Sequence, residues 1–252
     1  MGEAAQPFLE VEKVTMRFGG IVALDGLSLR IQPRMLRCIL GPNGCGKTTL
    51  FNVITGALKP SAGHVRFAGV EISGQQPHRI ARFGISRKFQ VPGIYLELSV
   101  LENLEIPMAS ASRAPGVFSL LRFKPDPERL HDLLSFSGLA QKAHAPAEQL
   151  AHGEKQRLEI AMLLATDADL FLLDEPTAGM SKGETEAIAV LVRRLCDERG
   201  KTVLVIEHDM NFVRYLDCPI VVMTRGAIIA EGSFDEVRSD PRVIESYLGR
   251  AA

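Results

Sequence analysis

Residues 41–49 read Gly41-Pro42-Asn43-Gly44-Cys45-Gly46-Lys47-Thr48-Thr49, a run of the phosphate-cradling type G-x-x-x-x-G-K-[ST]. Each residue type has a chemical use there. Gly41, Gly44 and Gly46 can take backbone angles that turn N–H groups inward around phosphate oxygens. Lys47 offers a cation to the terminal phosphates of a nucleoside triphosphate, and the Thr48 hydroxyl offers a ligand to magnesium. All nine residues are read as nucleotide-binding. A second element is Leu170-Phe171-Leu172-Leu173-Asp174-Glu175, an apolar run ending in two acids. In a parallel sheet, ligands gather beyond the carboxyl ends of the strands. Asp174 can there hold magnesium through water, and Glu175 can polarise the water that attacks the terminal phosphate. This pairing argues against most kinases and GTPases, and the Asn-Lys-x-Asp element by which GTPases read their base is absent from the sequence.

Placing these groups requires strand–loop–helix units. The apolar run at 37–40 before the loop reads as a buried strand, and 48–55 after it continues as a helix. The first third of the chain reads as strands at 9–18, 23–31, 37–40 and 64–67, broken by Gly19-Gly20, Pro33 and Ser61-Ala62-Gly63. The middle, about 100–164, is helix-like, with a Ser-, Pro- and Gly-rich loop expected over 110–127. The last third alternates: strand 170–173, helix 182–199, strand 202–207, helix 210–216, strand 220–223 and a terminal helix over 241–247 stopped by Gly249. That rhythm implies a parallel sheet.

Composition bounds the class. The chain has 252 residues, 46% of them hydrophobic, enough for one large domain or two small ones with a substantial core. Lys+Arg 29 against Asp+Glu 30 leaves a net charge of −1 and no basic stretch, so nucleic acid is not expected as a partner. Four scattered cysteines have no metal-like spacing and suggest a reducing compartment. Residues 1–7 carry an acid and no apolar core, unlike a signal peptide, and read as a flexible tail. The apolar runs are too short to span a bilayer, so a soluble, cytosolic chain is expected.

With both elements in hand, the sequence resembles the ATP-binding subunit of ABC transporters over essentially its whole length. The resemblance implies an α/β fold: a phosphate-loop ATPase with a mixed or parallel sheet core, an N-terminal antiparallel β subdomain and an inserted α-helical subdomain at about 91–165, within one nucleotide-binding domain at 8–249. It implies ATP and Mg2+ as ligands. Gln90, in Arg87-Lys88-Phe89-Gln90, matches the glutamine that touches magnesium and faces the membrane subunits. His208, in Ile206-Glu207-His208-Asp209, matches the switch histidine at the γ-phosphate. Phe18, in Arg17-Phe18-Gly19-Gly20, stands where the family stacks an aromatic on adenine. Alone, each has an ordinary reading as a core phenylalanine, a surface glutamine or a strand-end histidine. Six elements in the family's order do not. The implied catalytic set is Glu175, His208 and Gln90, and the implied metal set Thr48, Gln90 and Asp174.

Departures from the family pattern narrow the branch. The signature loop, Leu-Ser-Gly-Gly-Gln in the family and acting in trans on a partner's γ-phosphate, reads here Leu150-Ala151-His152-Gly153-Glu154. Ala151 cannot donate the serine hydroxyl bond, whereas the Gly153 N–H and the helix dipole still can contribute. After Pro176-Thr177 comes Ala178-Gly179-Met180-Ser181, without the aspartate usual there. Cys45 needs only its backbone N–H, and a helix N-terminus is expected to depress its thiol pKa. These features, with Arg157-Leu158-Glu159-Ile160-Ala161 and Glu207-His208-Asp209-Met210-Asn211, are similar to the ATPases of branched-chain amino acid and urea importers. Leu36-Arg37-Cys38-Ile39 and Ser86-Arg87-Lys88-Phe89-Gln90 look closest to the urea-type subunit. The resemblance implies two membrane-spanning permease subunits, a second and different ATPase subunit, a periplasmic binding protein acting indirectly, and a peripheral place on the cytoplasmic face of the inner membrane. The segment 91–100, with Ile94, Tyr95, Leu96 and Leu98, reads as the docking groove for a permease helix or as core packing. Rival readings are a lipopolysaccharide-export ATPase and a soluble ABC ATPase. The Glu207-His208 pair and the signature loop argue against the first, and the lack of a tandem cassette or long coiled coil against the second.

Overall fold

The computed structural model describes residues 7–88, 93–111 and 124–248. Apolar residues alternate along β1 (Leu9–Phe18), burying Leu9, Val11, Val14 and Met16, and β2 (Ile21–Ile31) buries Leu24, Leu27, Leu29 and Ile31 on the same side. One apolar face per strand makes an antiparallel sheet with a solvated back. With β4 (Ala62–Phe67) and β5 (Val70–Glu71) the order is β2-β1-β4-β5. The second sheet follows the other rule. Its strands β3 (Leu36–Leu40), β7 (Leu170–Asp174) and β8 (Thr202–Glu207) are buried almost throughout, as parallel strands covered on both faces are. With β6 (Ile85–Lys88), β9 (Ile220–Thr224) and β10 (Ala227–Gly232) the order is β10-β9-β3-β8-β7-β6, parallel except for the β9–β10 hairpin.

This mixed sheet divides the core in two. Cys38, Leu40, Phe171, Leu173, Val203 and Val205 face one cluster, and Ile39, Leu170, Leu172, Leu204 and Ile206 the other. The first is closed by α3 (Val100–Ala111), α4 (Pro127–Ser137), α5 (His152–Ala165) and α6 (Lys182–Asp197). The second is closed by α1 (Lys47–Ile54), α2 (Pro77–Arg82) and the antiparallel sheet. The chain ends in α7 (Met210–Leu216), α8 (Phe234–Ser239) and α9 (Pro241–Leu248).

The α/β architecture, the mixed sheet and the antiparallel N-terminal sheet are as the sequence predicts. Strands 9–18 and 202–207 and helix 210–216 have the predicted bounds. Differences lie in short elements: β5, α2, β6, β10 and α8 were not anticipated. Ser110 continues α3, where its hydroxyl donates to Ile106 O at 3.1 Å, rather than opening a loop; most of the expected loop falls outside the described residues. Among the described residues no helix is long and apolar enough to cross a membrane.

Candidate active site

Strand β3 lies between β8 and β9 and delivers the loop at 41–47 to the carboxyl end of the sheet. Gly44 (φ 77°) and Gly46 (φ 106°) take left-handed backbone, where a side chain costs roughly 1–2 kcal/mol. Gly41 does not, and its glycine has another cause. A Cβ at Gly41 falls 2.3 Å from the Met223 carbonyl oxygen and 2.7 Å from Cys45 Sγ. The loop is also pinned from both sheets: a Cβ at Gly46 meets Ala23 O at 2.4 Å, and Gly226 N donates to Cys45 O at 2.9 Å. Helix α1 then starts with no side-chain cap and no acid in its first turn. Free N–H groups and a positive dipole end are what a phosphate requires. Lys47 is buried, its Nζ donating to Gly41 O at 2.7 Å and Pro42 O at 3.1 Å. Thr48 is exposed on the first turn.

The acids stand two strands over, at the end of β7 with β8 between. Asp174 ends β7, paired in register with Ile206 of β8. Its Oδ2 accepts from Arg87 Nη2 at 2.8 Å, and Arg87 Nη1 donates to Asn52 Oδ1 at 2.6 Å, tying α1, β6 and β7 together. Burial raises the Asp174 carboxyl above its ordinary range, against the Arg87 hydrogen bond and charge that lower it. Its Oδ1 is buried without a hydrogen-bond partner among the described residues. An unmatched carboxylate oxygen beside a threonine-bearing phosphate loop is a donor set suited to a hard cation such as Mg2+. Asp174 and Thr48 are the residues that would hold it, and the ion would supply charge neutralisation of the phosphates.

Glu175 has a left-handed backbone, φ 47°, in a residue type that rarely adopts it. Its N–H donates to Ile206 O at 2.9 Å, and Oε1 lies 3.4 Å from His208 Nδ1. Both side chains are partly open to solvent. His208 sits between the end of β8 and α7, whose N-cap Asp209 accepts from Asn211 N at 2.8 Å. A carboxylate and an imidazole converging here can take a proton from water and stabilise charge on a phosphoryl group.

Of the other predicted residues, Phe18 is 46% exposed at a hairpin end, paired with Ile21, two residues from the Ala23 that touches Gly46. Pro42, Asn43 and Thr49 are exposed or half-buried in and just after the loop. The Ala151-His152-Gly153-Glu154 run opens α5 against the Thr177–Ala178 turn: His152 Nε2 donates to Ala178 O at 3.1 Å. The Glu184 carboxylate of the same chain stands close by: a Cβ added at Gly153 would fall 3.0 Å from its Oε1. Gln90, and with it Phe89, Val91 and Pro92, lies outside the described residues. In the adjoining segment Tyr95 and Leu96 are exposed while Ile94 is buried. One expectation is corrected. The Cys45 thiol is raised, not depressed, because burial outweighs the Lys47 ammonium and the loop N–H groups. Sequence reasoning missed Arg87 as a holder of Asp174, since only the β6–β7 register brings them together.

A strand–loop–helix phosphate site faced by an acidic strand end, beneath an antiparallel sheet, defines a nucleoside triphosphatase of the cassette type. The comparisons with known proteins give the family. The chain belongs to the ABC transporter family, whose model matches residues 24–178, and residues 227–252 match the branched-chain amino acid ATP-binding cassette transporter model. It is similar to the high-affinity branched-chain amino acid transport ATP-binding proteins BraF of Pseudomonas aeruginosa and LivG of Escherichia coli K12. The first is 37% identical over 98% of this chain and 100% of that protein, the second 36% over the same shares. The probable LivG of Methanocaldococcus jannaschii is 37% identical over 96% and 97%. Among solved structures, the ADP conformation of the ATP-binding cassette MJ1267 superposes with a TM-score of 0.83 at 34% identity, covering 98% of this chain and all of that one. The chain is an ABC transporter ATPase.

Proposed function

We propose that this ATPase energises an importer for branched-chain amino acids, urea or similar small amides, working peripherally on the cytoplasmic face of the inner membrane. The observation that carries the hydrolytic part is the convergence of Glu175 Oε1 and His208 Nδ1, 3.4 Å apart, at the carboxyl edge of the sheet that also delivers the phosphate loop. In this reading Lys47 and the loop N–H groups bind the ATP phosphates, Thr48 and Asp174 hold Mg2+ together with Gln90, and Phe18 stacks on adenine. Glu175 polarises the attacking water, and His208 meets the γ-phosphate. Residues 8–249 work as one nucleotide-binding domain with a helical subdomain at about 91–165. Two permease subunits, a second ATPase subunit and, indirectly, a binding protein complete the assembly. Full-length likeness to importer subunits supports this over the export and soluble readings. The run Ser86-Arg87-Lys88-Phe89-Gln90 supports the urea-type subunit within the branch. Uptake of labelled leucine and labelled urea by cells lacking the gene tests the cargo. Loss of one with restoration by the intact chain is expected; unchanged uptake of both contradicts the proposed cargo group.

A further inference from the structure

Glu207 ends β8 with its side chain buried; among the described residues no lysine or arginine pairs with it, and the nearest ring nitrogen, His208 Nδ1, stands 4.0 Å from Oε2. Four donors surround it instead. Oε1 accepts from Thr177 N at 3.2 Å and Thr177 Oγ1 at 2.6 Å, and Oε2 from His208 N at 3.0 Å and Asp209 N at 3.4 Å. A buried carboxylate without a lysine or arginine partner is costly, and an apolar side chain packs a strand end without that cost. The arrangement has a different use. Thr177 belongs to the turn that carries Glu175, and His208 and Asp209 form the turn that follows β8. The Glu175 N–H is itself bonded to Ile206 O at 2.9 Å. Glu175 therefore sits between two anchors on one strand, the Ile206 carbonyl before it and the Glu207 carboxylate after it. Its left-handed backbone is a conformation that persists only where surroundings over-determine it.

We propose that Glu207 is a positioning residue that joins the Glu175 turn to the His208 turn through Thr177, fixing the general base and the histidine as one unit. The proposal rests on the ATPase assignment and on Glu175 and His208 as its reacting side chains. The chemistry demands an acceptor-only group. Three of the four donors are backbone N–H groups, which cannot reverse. A glutamine of equal size offers them one oxygen and turns an NH2 toward the other pair, so Glu207→Gln opens one half of the clamp without changing volume.

The test uses the full-length chain purified with its membrane subunits, with steady-state ATP hydrolysis read beside the affinity for a fluorescent ATP analogue. Glu207→Gln is expected to lower kcat roughly 10- to 100-fold, the scale of small misplacements of reacting groups. KM for ATP and analogue affinity should stay within about twofold, because the phosphate loop is untouched. Thr177→Val should act in the same direction, Thr177→Ser should retain most activity, and the double variant should lose little more than the worse single one. An unchanged kcat in Glu207→Gln, or a fall matched by an equal loss of nucleotide affinity, overturns the proposal. Should Glu207→Gln fail to fold, the Thr177 pair decides: Thr177→Val at the wild-type kcat overturns it. Absence of hydrolysis in the wild-type assembly overturns the ATPase assignment itself, so the two failures are read in different proteins.

Discussion

At the residue level burial, not neighbouring charge, sets the chemistry of the thiols. Cys45 stands beside a lysine at a helix N-terminus, a setting that lowers a thiol pKa when water can reach it. Here burial raises it, and Cys38, Cys196 and Cys218 are raised as well, Cys218 from 9.0 to about 12. A folded state that holds the Cys218 proton more tightly than the unfolded chain is fully favoured below pH 9.0. It loses that advantage as pH rises toward about 12. At pH 8 the native protein should therefore react with iodoacetamide far more slowly than the denatured chain at all four cysteines, as mass spectrometry of the intact protein can follow. Labelling of Cys45 at the rate of a free thiol would contradict the burial argument.

At the level of elements, the N-terminus of α5 is half built. Glu154 Oε2 accepts from Ala151 N at 3.0 Å, the return half of a capping box, while Ala151 has no oxygen to accept from the helix. Lys142 donates to the same Glu154 oxygen at 2.7 Å. Ala151→Ser should complete the box and stabilise the protein by about 1 kcal/mol, seen as a higher thermal midpoint. It should separately raise turnover a few-fold at the partner subunit's ATP, if the signature loop works in trans as the family resemblance implies. No change in midpoint would show that the cap is not what the serine supplies. Legibility in the sequence followed length and periodicity. The ten residues of β1 and the apolar centre of β8, Val203 to Ile206, announce themselves through alternation and burial. β6, four residues of which two are basic, carries no such signal, yet it places Arg87 against Asp174. The phosphate loop and the acidic strand end were legible because their chemistry is local. The Arg87–Asp174 and Glu207–Thr177 contacts span 87 and 30 residues of chain and depend on strand register.

At the level of the whole molecule, one sheet with two cores explains why the groups proposed to react are held together. β3, β7 and β8 share their carboxyl edge, so the phosphate loop, Asp174–Glu175 and Glu207–His208 open on one line. The N-terminal end of α5 is joined to the Thr177–Ala178 turn by His152. With Ala151 at the position where the family carries serine, and the Glu184 carboxylate packed close to Gly153, we propose a pair of different ATPase subunits with unequal sites. If this chain works as a homodimer, or both sites turn over equally after each is inactivated in turn, that asymmetry fails. On the proposed mechanism Glu175 activates water for a phosphate held independently by the loop. The most direct measurement is ATP binding and turnover by the assembled transporter carrying Glu175→Gln, with Lys47→Ala beside it. Glu175→Gln should bind ATP as the wild type does and lose at least about 100-fold in turnover, whereas Lys47→Ala should lose binding itself. Near-normal turnover in Glu175→Gln would contradict that mechanism.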